Sequence, residues 1–148
     1  MPNKSNPVIT MLKADHKKVK ALFAEYEKAD ARRQRTIAQT VIDELEIHAE
    51  LEEDLIYPVI LSGIEEEELM NEAKEEHHLV HVLIAELKRL TPSDESFKAK
   101  FTVLGEIVKH HVKEEEGEMF PKAQRSTIDW EDLYARVAPR KARLMKAA

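Results

Sequence analysis

The segment from His48 to Pro58 aligns without a gap on the segment from His111 to Pro121, and both read His-x3-Glu-Glu-x3-aromatic-Pro. The segment from Asp15 to Glu25 aligns in the same way on that from Glu76 to Glu86. A chain that repeats a pair of helix-period segments is constrained to build the same helix pair twice. The repeat also settles two ambiguities. At the doublets His77/His78 and His110/His111 it selects His77 and His111, and it selects Glu115 over Glu114.

The repeated residues lie in apolar stripes of helical period. Asn6-Pro7 reads as a cap with proline in the first turn, followed by Ile9, Leu12, His16, Val19, Phe23 and Tyr26 at spacings of three and four. A second helix is expected to begin near Arg32 to Arg35, to carry Ile37, Val41, Leu45, His48, Glu52 and Leu55 on one face, and to fray near Pro58 to Gly63. A third runs from about Ile64 to Leu90 with Met70, Ala73, His77, Ile84 and Leu87 in register, and its acidic run Glu65 to Glu68 suits a solvated first turn. The fourth shows Phe97, Phe101, Leu104, Val108, His111 and Glu115, and ends around Phe120-Pro121. Beyond it Asp129 can cap a shorter helix holding Trp130, Leu133, Tyr134 and Val137, with Pro139 expected to break it. That helix reads as a lid or packing arm.

With 35% charged residues, 5% aromatics and three glycines, the composition belongs to long amphipathic helices. The expected fold is therefore all-α: an up-down-up-down four-helix bundle with a short additional C-terminal helix. It forms a single domain over 1–148, the bundle taking about 7–121 and the C-terminal extension about 127–147.

A net charge of -6 argues against general affinity for nucleic acid or an anionic membrane. The basic cluster Arg140, Lys141, Arg143 and Lys146 suits the negative end of a final helix. With no cysteine, any metal must be held by nitrogen and oxygen. The first residues lack the apolar core of a leader, and no apolar run approaches the roughly 20 residues that span a bilayer, so a cytoplasmic protein is expected.

His16, His48, Glu52, His77, His81, His111 and Glu115 all fall at core-facing positions of similar depth. His81 stands opposite Lys20 in the repeat and one helical turn after His77, so both imidazoles can reach one metal. A buried ionised glutamate costs several kcal/mol without a partner, and here two meet among five imidazoles, a conflict that bound cations resolve. Five imidazoles, two bridging carboxylates and a bridging oxide or hydroxide nearly fill two octahedra and leave one position for a small ligand; nitrogen and oxygen donors of this kind suit iron. His78 and His110 read as neighbours of the set, and Glu53, Glu114 and Glu116 as solvent-facing charge. Tyr57 and Phe120 read as core plugs, although Tyr57 could bring a hydroxyl near the centre. Paired Glu-x-x-His motifs of ferritin-like sites, the His-Glu-x-x-His zinc motif and a glycine-rich phosphate loop are all missing from the sequence.

The order His, His-x3-Glu, His-x3-His, His-x3-Glu resembles the hemerythrin and hemerythrin-like cation-binding family over about residues 10 to 121. The resemblance implies two non-haem iron ions with a bridging oxide or hydroxide. His77, His81 and His111 would bind one, His16 and His48 the other, with Glu52 and Glu115 bridging. It implies a small diatomic or peroxide ligand: O2, peroxide or nitric oxide, bound by a carrier, store or sensor, or turned over by a di-iron enzyme with an electron donor. The animal oxygen carriers have a longer spacing to an aspartate where this chain has His111-x3-Glu115.

Overall fold

The computed structural model describes residues 6–148, and every regular element in them is helical. The expectation about a leader falls largely on residues 1–5, which lie outside the described residues. Among the described residues no helix is long and apolar enough to cross a membrane.

Side chains cap the helices where the sequence changes from polar to periodic. Asn6 accepts from the amides of Val8 and Ile9, each at 3.1 Å, and starts α1 (Pro7–Lys28). Asp30 accepts from the Arg33 amide at 2.8 Å and starts α2 (Ala31–Leu51), slightly earlier than the arginine cluster suggests. Then α4 (Glu67–Arg89) follows α3 (Tyr57–Ile64) through Glu65, whose φ of 54° turns the chain between them. Asp94 caps α5 (Glu95–Glu114), which leads to α6 (Phe120–Gln124), and Asp129 caps α7 (Trp130–Ala147).

Two expectations about prolines are corrected. The second helix does not fray at Pro58: a π-helical turn over Glu52–Ile56 joins α2 to α3 in one rod. There the Tyr57 N–H bonds the Glu52 carbonyl, and the widened turn admits a proline ring that an ordinary helix interior would reject. The repeat builds the same device at Glu115–Met119, where the Phe120 N–H bonds the Glu115 carbonyl ahead of Pro121. Nor does Pro139 break the last helix, which runs on to Ala147. Pro139 lies on the exposed side, where solvent can serve the freed carbonyl, while Leu133 and Val137 anchor the buried side.

The rods pack up-down-up-down, α1 against α2 and α5, and α4 against α5 and α2, with α7 laid across α1 and α2. Their apolar stripes make two cores. One contains Val19, Tyr26, Val41, Ile84, Phe101 and Leu104; the other contains Leu12, Leu51, Ile60, Met70, Phe120 and Leu133. On α1 the step from Leu12 to Val19 crosses from one core to the other past Asp15 and His16, and the other rods cross the same layer through polar residues. The polar layer thus lies between two dry regions, which fix its side chains from both ends.

Candidate metal centre

Each π-helical turn begins at a core glutamate. Glu52 and Glu115 are the first residues of the two turns and are 0% and 1% exposed. One turn earlier on each rod stand His48 and His111, while His16 comes from α1 and His77 from α4. These six converge. Glu115 turns Oε1 to within 3.1 Å of His16 Nε2 and Oε2 to within 3.0 Å of His111 Nε2. Glu52 Oε1 lies 3.3 Å from His48 Nε2 and 3.1 Å from His77 Nε2. The ring nitrogens facing inward are therefore all Nε2.

Four outer carboxylates hold the other ring nitrogen of each histidine. Nδ1 of His16 lies 2.6 Å from Glu116, that of His48 3.1 Å from Asp15, that of His77 2.8 Å from Glu53 and that of His111 2.7 Å from Glu76. A carboxylate can only accept, so each Nδ1 carries a hydrogen and each Nε2 faces inward, where a cation can take the place of its proton. The reading of Glu53 and Glu116 as mere solvent-facing charge is corrected here: both are partly exposed, yet each orients a core imidazole. The repeat contained the signal. Asp15 aligns with Glu76 and Glu53 with Glu116, so all four acids are duplicated along with the inner residues. Glu114 instead pairs with the exposed His110 at 3.2 Å.

Before any metal is added the imidazoles act as the positive partners of the acids. Burial alone would lower His48, but Glu52 and Asp15 outweigh it and raise it to about 10. His111, His16 and His77 are likewise raised by carboxylates against the pull of burial. Burial would raise Glu52, and the surrounding imidazoles hold it well below the usual carboxylate range.

Even so, protons do not satisfy the site. His16 Nε2, His48 Nε2, Glu52 Oε2 and Glu115 Oε1 are buried and have no hydrogen-bond partner among the described residues. The approach of 3.1 Å between His16 Nε2 and Glu115 Oε1 is close enough for ionic attraction but lacks hydrogen-bond geometry. Buried nitrogen and oxygen atoms left unpaired in this way, two imidazole and two carboxylate, are what a cation needs once it displaces the imidazole protons. The donor atoms fall into two compact groups, His16, His48, Glu52 and Glu115 on one side and Glu52, His77, His111 and Glu115 on the other, each spanning at most 4.8 Å and sharing both glutamates.

His81 lies apart from the six. Its side chain is 45% exposed and its Nε2 sits 2.7 Å from Glu53 Oε2, the same oxygen that holds His77. Tyr57 comes to the centre. Its hydroxyl donates to Glu115 and lies 3.2 Å from Glu52 Oε1, 3.2 Å from His77 Nε2 and 3.0 Å from His111 Nε2. The aligned Phe120 instead stacks on His16 with ring planes 3° apart, so the repeat places a phenol on one half and a bare ring on the other. An open groove of about 480 Å³, walled by Lys74, His78 and His81, reaches Tyr57 and His77 from outside. A smaller cavity of about 40 Å³ touches His16, His48, His77 and His111.

Helical rods around a buried cluster of histidines and carboxylates define a metal-binding bundle. The chain belongs to the hemerythrin HHE cation binding domain family, whose pattern residues 8–123 match. A crystal structure of a hemerythrin HHE cation binding domain-containing protein from Mycobacterium kansasii shares the fold, with a TM-score of 0.72 at 24% identity over 88% of this chain and 85% of that one. A DNA nickase of Nostoc sp. is 32% identical over 114 residues, 74% of this chain. The chain spans 31% of the length of that relative.

Proposed function

We propose that this protein is a non-haem di-iron protein that binds O2 or a related small ligand, peroxide or nitric oxide, as a carrier, store or sensor. In this reading His16 and His48 hold one iron, His77 and His111 the other, and Glu52 and Glu115 bridge them together with an oxide or hydroxide. The observation that carries it is the set of buried nitrogen and oxygen atoms of His16, His48, Glu52 and Glu115 that have no hydrogen-bond partner among the described residues. Bound iron would supply Lewis acidity and electrons at this point of the bundle. The four outer carboxylates keep the imidazoles in the tautomer that binds metal, and the two apolar cores exclude bulk water.

The groove delivers a small ligand to the half of the centre that carries Tyr57, where the hydroxyl can hold a hydrogen bond or a proton against it. This hydroxyl would stand beside His77 and His111 as a hydrogen-bond donor to the bound ligand. His81 joins the set only on giving up Glu53. The same phenol favours a second reading, an enzyme that breaks down peroxide or reduces nitric oxide, because both reactions consume protons next to the metal. One domain over the whole chain and a cytoplasmic location belong to the proposal, and with a net charge of -6 nucleic acid is not among its partners.

Metal analysis with an absorption spectrum tests it. Two irons per chain with oxo-bridge bands are expected; one zinc per chain would refute it. Reversible bleaching on oxygen withdrawal marks a carrier, and sustained peroxide or nitric oxide consumption an enzyme.

A further inference from the structure

Helix α7 lies outside the repeat and beyond the residues that match the family, yet one of its side chains reaches an outer carboxylate of the centre. Lys141 Nζ lies 2.8 Å from Asp15 Oδ1, and the other oxygen of that carboxylate, Oδ2, lies 3.1 Å from His48 Nδ1. The contact is secluded, the side chains being 21% and 11% exposed. Of the four outer carboxylates Asp15 is the most buried, and among their ion pairs in the described residues it alone faces a lysine. Its counterpart Glu76 has the exposed His110 at 3.4 Å, and Glu53 and Glu116 face histidines.

A fixed ammonium on one oxygen withdraws charge from the carboxylate, so Asp15 accepts less strongly from the His48 N–H than Glu76 does from the His111 N–H. Resting on the two-cation reading above, we propose that Lys141 is a positioning residue that makes the two cation positions unequal. Through Asp15 it weakens His48 as a donor, and the cation held by His16 and His48 is bound less tightly than the one held by His77 and His111. The last helix thereby adds a second difference between the halves to the one that Tyr57 and Phe120 make. Arg140, one residue earlier, serves as the internal control: it docks the same helix through Asp54 at 2.8 Å and makes no contact with Asp15.

Cobalt(II) titration of the chelator-treated full-length chain, followed by visible absorption alongside thermal melting, separates this role from simple docking. The wild type should take up two cobalt ions in two steps. Lys141→Met should tighten the weaker step several-fold while lowering the melting temperature, and Lys141→Arg should restore the wild-type affinities. Arg140→Met should lower the melting temperature and leave both steps in place. Asp15→Asn should weaken one step by roughly ten- to hundredfold, and in that background Lys141→Met should have no effect on affinity. The proposal is overturned if Lys141→Met weakens the step or changes neither, or if its effect survives in Asp15→Asn. Uptake of fewer than two ions by the wild type would instead refute the two-cation reading itself.

Discussion

Removing metal and raising the pH should unfold this protein from the inside. In the metal-free chain His48 holds its proton up to about 10 against an ordinary 6.5, because Glu52 and Asp15 overcome the cost of burial. A raised folded-state value means that the folded protein binds the proton more tightly than the unfolded chain does. The resulting stability is fully present below pH 6.5 and disappears as the pH rises through about 10. At about 1.4 kcal/mol per pH unit, the interval from 6.5 to about 10 sets a ceiling of roughly 5 kcal/mol for this imidazole. His16, His77 and His111 shift in the same direction and share the same carboxylates, so they broaden the fall more than they multiply it. A fall of that size is a large part of the stability of an ordinary domain. Bound cations replace these protons, and the alkaline fall should vanish in the loaded protein. The assay is urea denaturation followed by circular dichroism at several pH values between 6.5 and 10, with and without metal. A metal-free protein whose stability is flat or rising across that range would refute the reasoning.

Three further outcomes follow from the same geometry. Glu76→Gln removes the charge that orients His111 and should lower metal affinity by roughly ten- to hundredfold, read by competition with a chelator, with little change in helicity. Tyr57→Phe should leave two metals bound and speed the release of the bound small ligand, and His81→Ala should change neither; loss of a metal in His81→Ala would return His81 to the set. Phe101→Ala empties the core on the far side of the centre, where Phe101 is 1% exposed and packs on Tyr26 at 4.3 Å; it should destabilise the fold by about 3–5 kcal/mol while metal stoichiometry is retained.

The helical rods were legible because apolar spacing of three and four is a local property, and the caps Asn6 and Asp129 are local as well. The convergence of His16, His48, Glu52, His77, His111 and Glu115 was legible for a different reason: a gapless repeat forces equivalent residues to equivalent depth. The π-helical turns were hidden, since a widened turn depends on which carbonyl the Tyr57 and Phe120 amides choose, and no residue type marks that choice. For the same reason the prolines that follow look like stops in the sequence. In the sequence a half-exposed acid beside a core acid, such as Glu53 or Glu116, looks like a solvated neighbour; only the packing of a distant helix shows it against an imidazole. His81 satisfies the spacing rule, yet its ring turns to Glu53, and periodicity fixes a face without fixing a rotamer. Lys141 lies 126 residues from its partner in the chain, beyond the reach of any local pattern.

Anomalous diffraction from iron-loaded crystals tests the central claim most directly. Two iron peaks are expected, one within bonding distance of Nε2 of His16 and His48 and the other of Nε2 of His77 and His111, with Glu52 and Glu115 between them. A single peak, peaks only at exposed residues such as His110, or none at all would contradict the account.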